Sequence, residues 1–79
     1  MQWQDHIVHD PSICHGKATI KGTRILVFVI LDNLAAGETF EQIRLGYPPI
    51  SDVQIRACLS YAAWLAHDEI VARPQVNTA

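Results

Sequence analysis

Four side chains able to ligate a metal, His6, His9, Cys14 and His15, lie within ten positions, and three cations, Lys17, Lys21 and Arg24, follow within eight. The stretch ICHGKATIKGTRILV, residues 13–27, contains no acidic residue and ends in an apolar run. Such a segment suits a metal site, a phosphate-gripping loop, or a turn-rich hairpin feeding a helix. Structural zinc is usually held by two close ligand pairs. His-x-x-His followed by adjacent Cys-His matches none of the standard spacings, because neighbouring strand residues point to opposite faces. In GKATIKGT the lysine comes straight after the first glycine, so the stretch is not a Walker-type loop. Cys14 has His15 beside it but no marked orienting acid or oxyanion donor, which argues against a nucleophilic enzyme. The expectation is a non-enzyme without metal or cofactor; a metal-dependent enzyme using His6, His9 and His15 is the weakest rival.

The whole chain narrows the choice. Its 79 residues make a single small domain, 1–79, and a chain of this size gains only a few kcal/mol, roughly, from its own core. Burial against a partner is therefore expected, and apolar residues at 49% are generous for so little volume. A formal charge of −2 excludes nucleic-acid binding by bulk attraction, so any DNA contact must come from a local patch. Cys14 and Cys58 are far apart, and MQWQDHIVHD lacks the basic-then-apolar layout of a signal peptide, so a cytoplasmic protein with free thiols is expected. The longest apolar run, Ile25 to Leu31, is far below the roughly 20 residues of a membrane helix.

These residues must be positioned by a hairpin over about 5–25 and by three helices. HIVH is β-prone, DPSICHG is rich in turn formers, and KATIKG alternates Lys17, Thr19 and Lys21 with Ala18 and Ile20, which predicts a cationic face and a packing face. Gly16 and Gly22 fall at turns. Val27, Ile30, Leu31 and Leu34 form the stripe of a first helix over about 27–36, stopped at Gly37. Phe28, Val29 and Ala35 are apolar off that stripe, which suggests a second chain. Thr39 and Gln42 predict a capping box for a short second helix, with Phe40, Ile43 and Tyr47 inward and Gly46, Pro48 and Pro49 as its stop. Ser51 with Gln54, and Ile50 with Ile55, predict a box and a hydrophobic staple for a third helix running to about His67 or beyond. On it Ile55, Cys58, Leu59, Ala62 and Ala66 form one apolar face and Val53, Ala57, Tyr61 and Trp64 an adjoining one, with Arg56, Ser60 and His67 on the polar side. The tail from about Arg73 is expected to fray. A short helix, a tight turn and a longer capped helix are the outline of a helix-turn-helix.

On such a fold Lys17, Lys21 and Arg24 would hold DNA phosphates, and Gln54 and Arg56 would approach base edges from the second helix of the motif. The alternatives are a solvated strand face and, for Gln54, a purely capping role. Asp52 beside them would repel phosphate. Phe28, Val53, Tyr61 and Trp64 are the candidate interface residues; Tyr61 and Trp64 face either a partner or Trp3 and Ile7 of the same chain.

Residues 9–65 resemble a bacterial and archaeal domain-of-unknown-function family, numbered four hundred and thirty-three and described as antitoxin-like, of the VapB type. The likeness rests on Asp10, Pro11, Gly16, Lys17, Ile20, Gly22, Thr23, Arg24, Ile25, Val27, Gly37, Tyr47, Pro48, Leu59 and Tyr61 taken together. The chain departs at Ala18 and Leu26, where the family usually has proline, and carries Cys58 where a small alanine is common. The resemblance implies a mainly α, three-helix homeodomain-like helix-turn-helix bundle behind the β-hairpin. It also implies dimerisation and a place as antitoxin beside a PIN-like nuclease toxin, with binding of its own operator DNA. Arg73 or another basic residue near the C-terminus would then approach the toxin's carboxylates.

Overall fold

The computed structural model describes residues 2–67. The tail from about 73, Arg73 included, lies outside them. A 3-10 turn at Trp3–Asp5 leads into β1 (Ile7–His9), which pairs antiparallel with β2 (Ala18–Ile20); helices α1 (Val27–Ala35), α2 (Phe40–Gly46) and α3 (Asp52–His67) follow. The fold is thus a small hairpin followed by a three-helix, helix-turn-helix bundle.

The long connection between the strands is a chain of turns. Asp10 begins a turn with Pro11 second, closed by Ile13 N–H donating to the Asp10 carbonyl at 2.8 Å. The Asp10 carboxylate also accepts from Ser12 N–H at 2.9 Å and from its hydroxyl at 2.7 Å, and these bonds hold its pKa below the ordinary carboxylate value. Cys14, His15 and Gly16 then all take positive φ, +52°, +59° and +81°. A glycine is at ease there and two side-chain-bearing residues are not, so the loop carries local strain. Cys14 Sγ donates to the Arg24 carbonyl at 3.7 Å, tying this loop to the segment before α1.

The expected alternation along β2 fails at Thr19. Lys17 and Lys21 are exposed, but Thr19 is as buried as its neighbour Ile20. The reason is that β2 has neighbours on both edges. Val8 pairs with Thr19 on one side, Leu26 bridges it on the other, and α1 packs against the strand. Lateral closure by the returning chain is invisible to a period-2 pattern. The turn that brings the chain back has Gly22 at φ +83° and is clasped by Thr23, whose hydroxyl donates to the Ile20 carbonyl at 2.7 Å and accepts from Ile25 N–H at 3.0 Å.

The helix ends form where their residues dictate. Gly37, at φ +95°, closes α1: its N–H donates to the Leu34 carbonyl at 3.0 Å, and Glu38 N–H to the Asn33 carbonyl at 3.0 Å, the paired bonds of a Schellman stop. Thr39 and Gln42 make both bonds of the capping box, at 3.1 and 2.8 Å. Ser51 and Gln54 repeat it on α3, with Gln54 N–H donating to the Ser51 hydroxyl at 3.3 Å and Ser51 N–H to Gln54 Oε1 at 2.8 Å. The staple residues Ile50 and Ile55 are both buried, and an Arg44–Asp52 ion pair ties α2 to the start of α3.

The core is Ile7, Ile20, Val27, Ile30, Ile43, Ile50, Ile55, Ala57 and Cys58. On α3 the two expected apolar faces prove to be shoulders of one buried arc. At about 100° per residue, Gln54, Cys58, Tyr61 and Leu65 share one line of the helix, with Ile55 and Ala62 on one flank and Ala57 on the other. Leu59 and Ala66 lie beyond the first flank and Val53 and Trp64 beyond the second, and all four are exposed. Leu59 and Ala66 are therefore not core residues, and Ala57 is.

Candidate functional site

Beyond Cys58 the side chains of α3 become progressively more exposed, through half-buried Tyr61 to exposed Leu65. Tyr61 and Leu65, one turn apart, face Phe28 and Leu31, one turn apart on α1, across a groove floored by Val27 and Ala18. It encloses about 400 Å³, and Lys17 and His9 stand in its lining as the basic side chains among apolar ones. Phe28 and Leu65 are 48% and 47% exposed although both border this space. The wall is shaped by aromatic packing. Trp3 meets Tyr61 edge-on with ring centres 5.0 Å apart and Trp64 at 5.2 Å, so the N-terminal 3-10 turn braces the last turns of α3. This is the intramolecular packing of Tyr61 and Trp64 that the sequence left open. His9 Nε2 shares a hydrogen bond of 3.2 Å with the Tyr61 hydroxyl, and Lys17 Nζ lies 5.6 Å from the centre of the Phe28 ring, a cation–π contact.

Of the candidate interface residues, the structure brings Phe28 and Tyr61 together in the groove and sets Trp64 behind Tyr61. Val53 is exposed at the start of α3, about 12 Å from Tyr61 along the helix axis, and belongs to a different surface. Leu65 has no place in the sequence reading, and Leu31, Ala18 and His9 appear there as a core-stripe residue, a packing-face residue and a candidate metal ligand, not as groove residues. For Leu31 and Leu65 the signal is the i, i+3 and i, i+4 spacing with Phe28 and Tyr61, which becomes a site only when the two helices stand side by side.

The candidate DNA contacts are spread out. Lys17 precedes β2 and Lys21 follows it, about 13 Å apart along the strand, so the two do not form one compact patch. Arg24 is exposed, and among the described residues its guanidinium makes no hydrogen bond or ion pair; its carbonyl, not its side chain, does the clamping of Cys14. Gln54 is occupied by the capping box, with its Oε1 also 3.2 Å from the Ser51 hydroxyl. Arg56 is exposed and lies 6.0 Å from the centre of the Phe40 ring.

The thiols differ sharply. Cys58 is fully buried, and loss of hydration pushes its pKa up to about 11, which leaves it an inert core residue. Cys14 is half-buried in the strained turn. Among the described residues no three His, Cys, Asp or Glu side chains converge as metal ligands, His9 facing Tyr61 instead. No helix of the described residues is long and apolar enough to cross a membrane.

No curated protein and no solved structure matches the chain significantly. A family profile does, over residues 7–62, which spans β1, β2, α1, α2 and most of α3. The profile covers both walls of the groove apart from Leu65, and on that match the chain belongs to the family described as protein of unknown function, DUF433.

Proposed function

We propose that this chain is the antitoxin-like component of a type II toxin-antitoxin pair, a non-enzymatic, cytoplasmic homodimer that binds and blocks a PIN-like nuclease toxin. The observation that carries the reading is exposed apolar surface. Among the described residues Phe28, Leu45, Val53, Leu59, Trp64 and Leu65 are each more than two-fifths exposed, beside a core of nine buried hydrophobic residues. A chain that leaves so much large apolar surface on its three helices is suited to covering another protein. The groove is open and mostly apolar, which suits the side chains of another protein.

Binding of the toxin gene's own operator is a second reading. The order of α2, turn and α3, with exposed Lys17, Lys21, Arg24 and Arg56, favours it. Gln54 locked in a cap, and Asp52 at the start of α3, favour the alternative of a protein-interaction module without DNA binding.

The test is co-expression with the neighbouring reading frame. A stoichiometric complex in which excess of this chain abolishes the partner's ribonuclease activity is the expected result; a neighbour without nuclease activity, or a nuclease unaffected by this chain, overturns the reading. A gel shift on the upstream region at low salt, lost in Lys17→Ala plus Lys21→Ala, decides the DNA part, and no shift even with the partner present removes it.

A further inference from the structure

We infer that the groove between α1 and α3 is filled by a second copy of this chain, the two α1 helices lying antiparallel about a two-fold axis. The inference rests on the homodimeric part of the function proposed above and says where the two chains meet.

The groove is lined by side chains that the fold turns inward and then leaves uncovered by the described residues. Leu65 lies on the same line of α3 as buried Cys58, two turns further on, yet is 47% exposed. Across from it, Phe28 is 48% exposed. What covers them must offer apolar side chains and, at the mouth, an acid, because the lining holds the basic side chains Lys17 and His9 and no carboxylate. His9 already has the Tyr61 hydroxyl, whereas Lys17 has no ion pair among the described residues.

The chain itself carries the complementary surface. Phe28 and Leu31 of α1 line the groove, and Asp32 and Ala35, at i+4 and i+7 from Phe28, continue the same side of the helix beyond it, giving an apolar stripe with one acid. Asp32 is exposed and, among the described residues, makes no ion pair. It lies one turn, about 6 Å, beyond Phe28. When a second α1 runs antiparallel to the first, its Asp32 end meets the Phe28 end. That is where Lys17 lies over the Phe28 ring. The two-fold repeats the contact, so each Lys17 meets an Asp32 and each Phe28 enters the opposite groove. Self-complementarity of this kind is what an isologous interface requires, and it adds burial to a chain whose own core is small.

Sedimentation equilibrium of the full chain, with circular dichroism to confirm the helices of each variant, tests this. The expected result is a reversible dimer whose dissociation constant rises about 100-fold in Phe28→Asp and in Leu65→Glu, two substitutions on separate helices at half-exposed positions. Lys17→Glu and Asp32→Lys each weaken it about tenfold, and together they restore it to within about threefold. Leu45→Asp, 76% exposed on α2 and outside the groove, leaves association unchanged. A dimer indifferent to Phe28→Asp, or a charge swap that fails to restore it, overturns the groove and leaves dimerisation standing. A monomer at every concentration, with the groove covered by residues 68–79 or by another protein, overturns both and leaves the inhibition of a nuclease to be judged by its own assay.

Discussion

In the first turns of α3, Ile55, Ala57 and Cys58 are sealed from solvent, whereas two turns past Cys58 the side chain of Leu65 lies on the same line of the helix and is nearly half exposed. The two ends share a helix and an apolar arc and differ in what stands opposite. Ile55 and Cys58 belong to the closed core with Ile30 of α1 and Ile43 of α2, whereas Leu65 borders the open groove across from Phe28 and Leu31, with the N-terminal 3-10 turn supporting one side through Trp3. An apolar arc therefore specifies which way a helix faces, and only the neighbouring elements specify whether that face is core or binding surface.

Truncations at the two ends should break this symmetry most. Ile55→Ala is expected to destabilise the fold by about 2–5 kcal/mol, a large part of the stability of so small a domain, while Leu65→Ala costs under about 1 kcal/mol in the monomer. Urea unfolding at a concentration where the chain is monomeric checks this, and equal losses at both positions would show that the far end of α3 is core as well. Next in size is the cap that launches the helix. Ser51→Ala removes an acceptor for Gln54 N–H and is expected to cost about 1 kcal/mol, seen as a lower thermal midpoint, with the Leu65 end equally affected because the helix starts from that cap.

A smaller and opposite effect is expected at Thr19, whose buried Oγ1 lacks a hydrogen-bond partner among the described residues. Thr19→Val keeps the shape, removes the stranded hydroxyl, and should stabilise by about 1 kcal/mol in the same unfolding experiment; a loss instead would mean that the hydroxyl is bonded in solution. The last prediction concerns pH. Asp10 has its folded pKa lowered by the Ser12 bonds, so its contribution is present above its unfolded pKa and fades as pH falls through the lower folded value; Asp10→Asn should flatten a small acid-side decline in stability. Cys58 works in the other direction. Its pKa is raised to about 11, so its contribution is complete below the ordinary thiol value of 9.0 and is lost as pH rises from there towards 11. Alkylation of the folded chain near pH 8 is accordingly expected at Cys14 and not at Cys58, and modification of Cys58 first would mean that the core opens.

The parts of this molecule that were legible beforehand are those written in short-range chemistry. Thr39 with Gln42, Ser51 with Gln54, Gly37 after its helix and Gly22 in its turn each act within a few residues, so spacing alone placed them. The burial of Thr19 was not legible, because it depends on Leu26 returning to the edge of β2, and the strand pattern instead predicted a cationic face. The two faces read on α3 were also misassigned: a helix apolar around much of its circumference does not say where its buried arc is centred, and packing centred it between them. For the candidate site, the aromatic and aliphatic members of the groove are visible as spacings, but the stripe that carries Tyr61 also carries Val53, which lies on a different surface, and omits Leu65.

What the sequence by itself determined is the order of a hairpin and three capped helices, the positions of their ends, and membership of a family through residues spread over most of the chain, since caps, turns and periodicity are local and each names its own residues. What only the tertiary structure decided is that α1 and α3 stand beside the end of β2 with Phe28, Leu31, Tyr61 and Leu65 facing one another and Lys17 at the mouth. The two helix walls of the groove join residues thirty or more positions apart, and no local preference records which turns of α3 will find a neighbour that seals them.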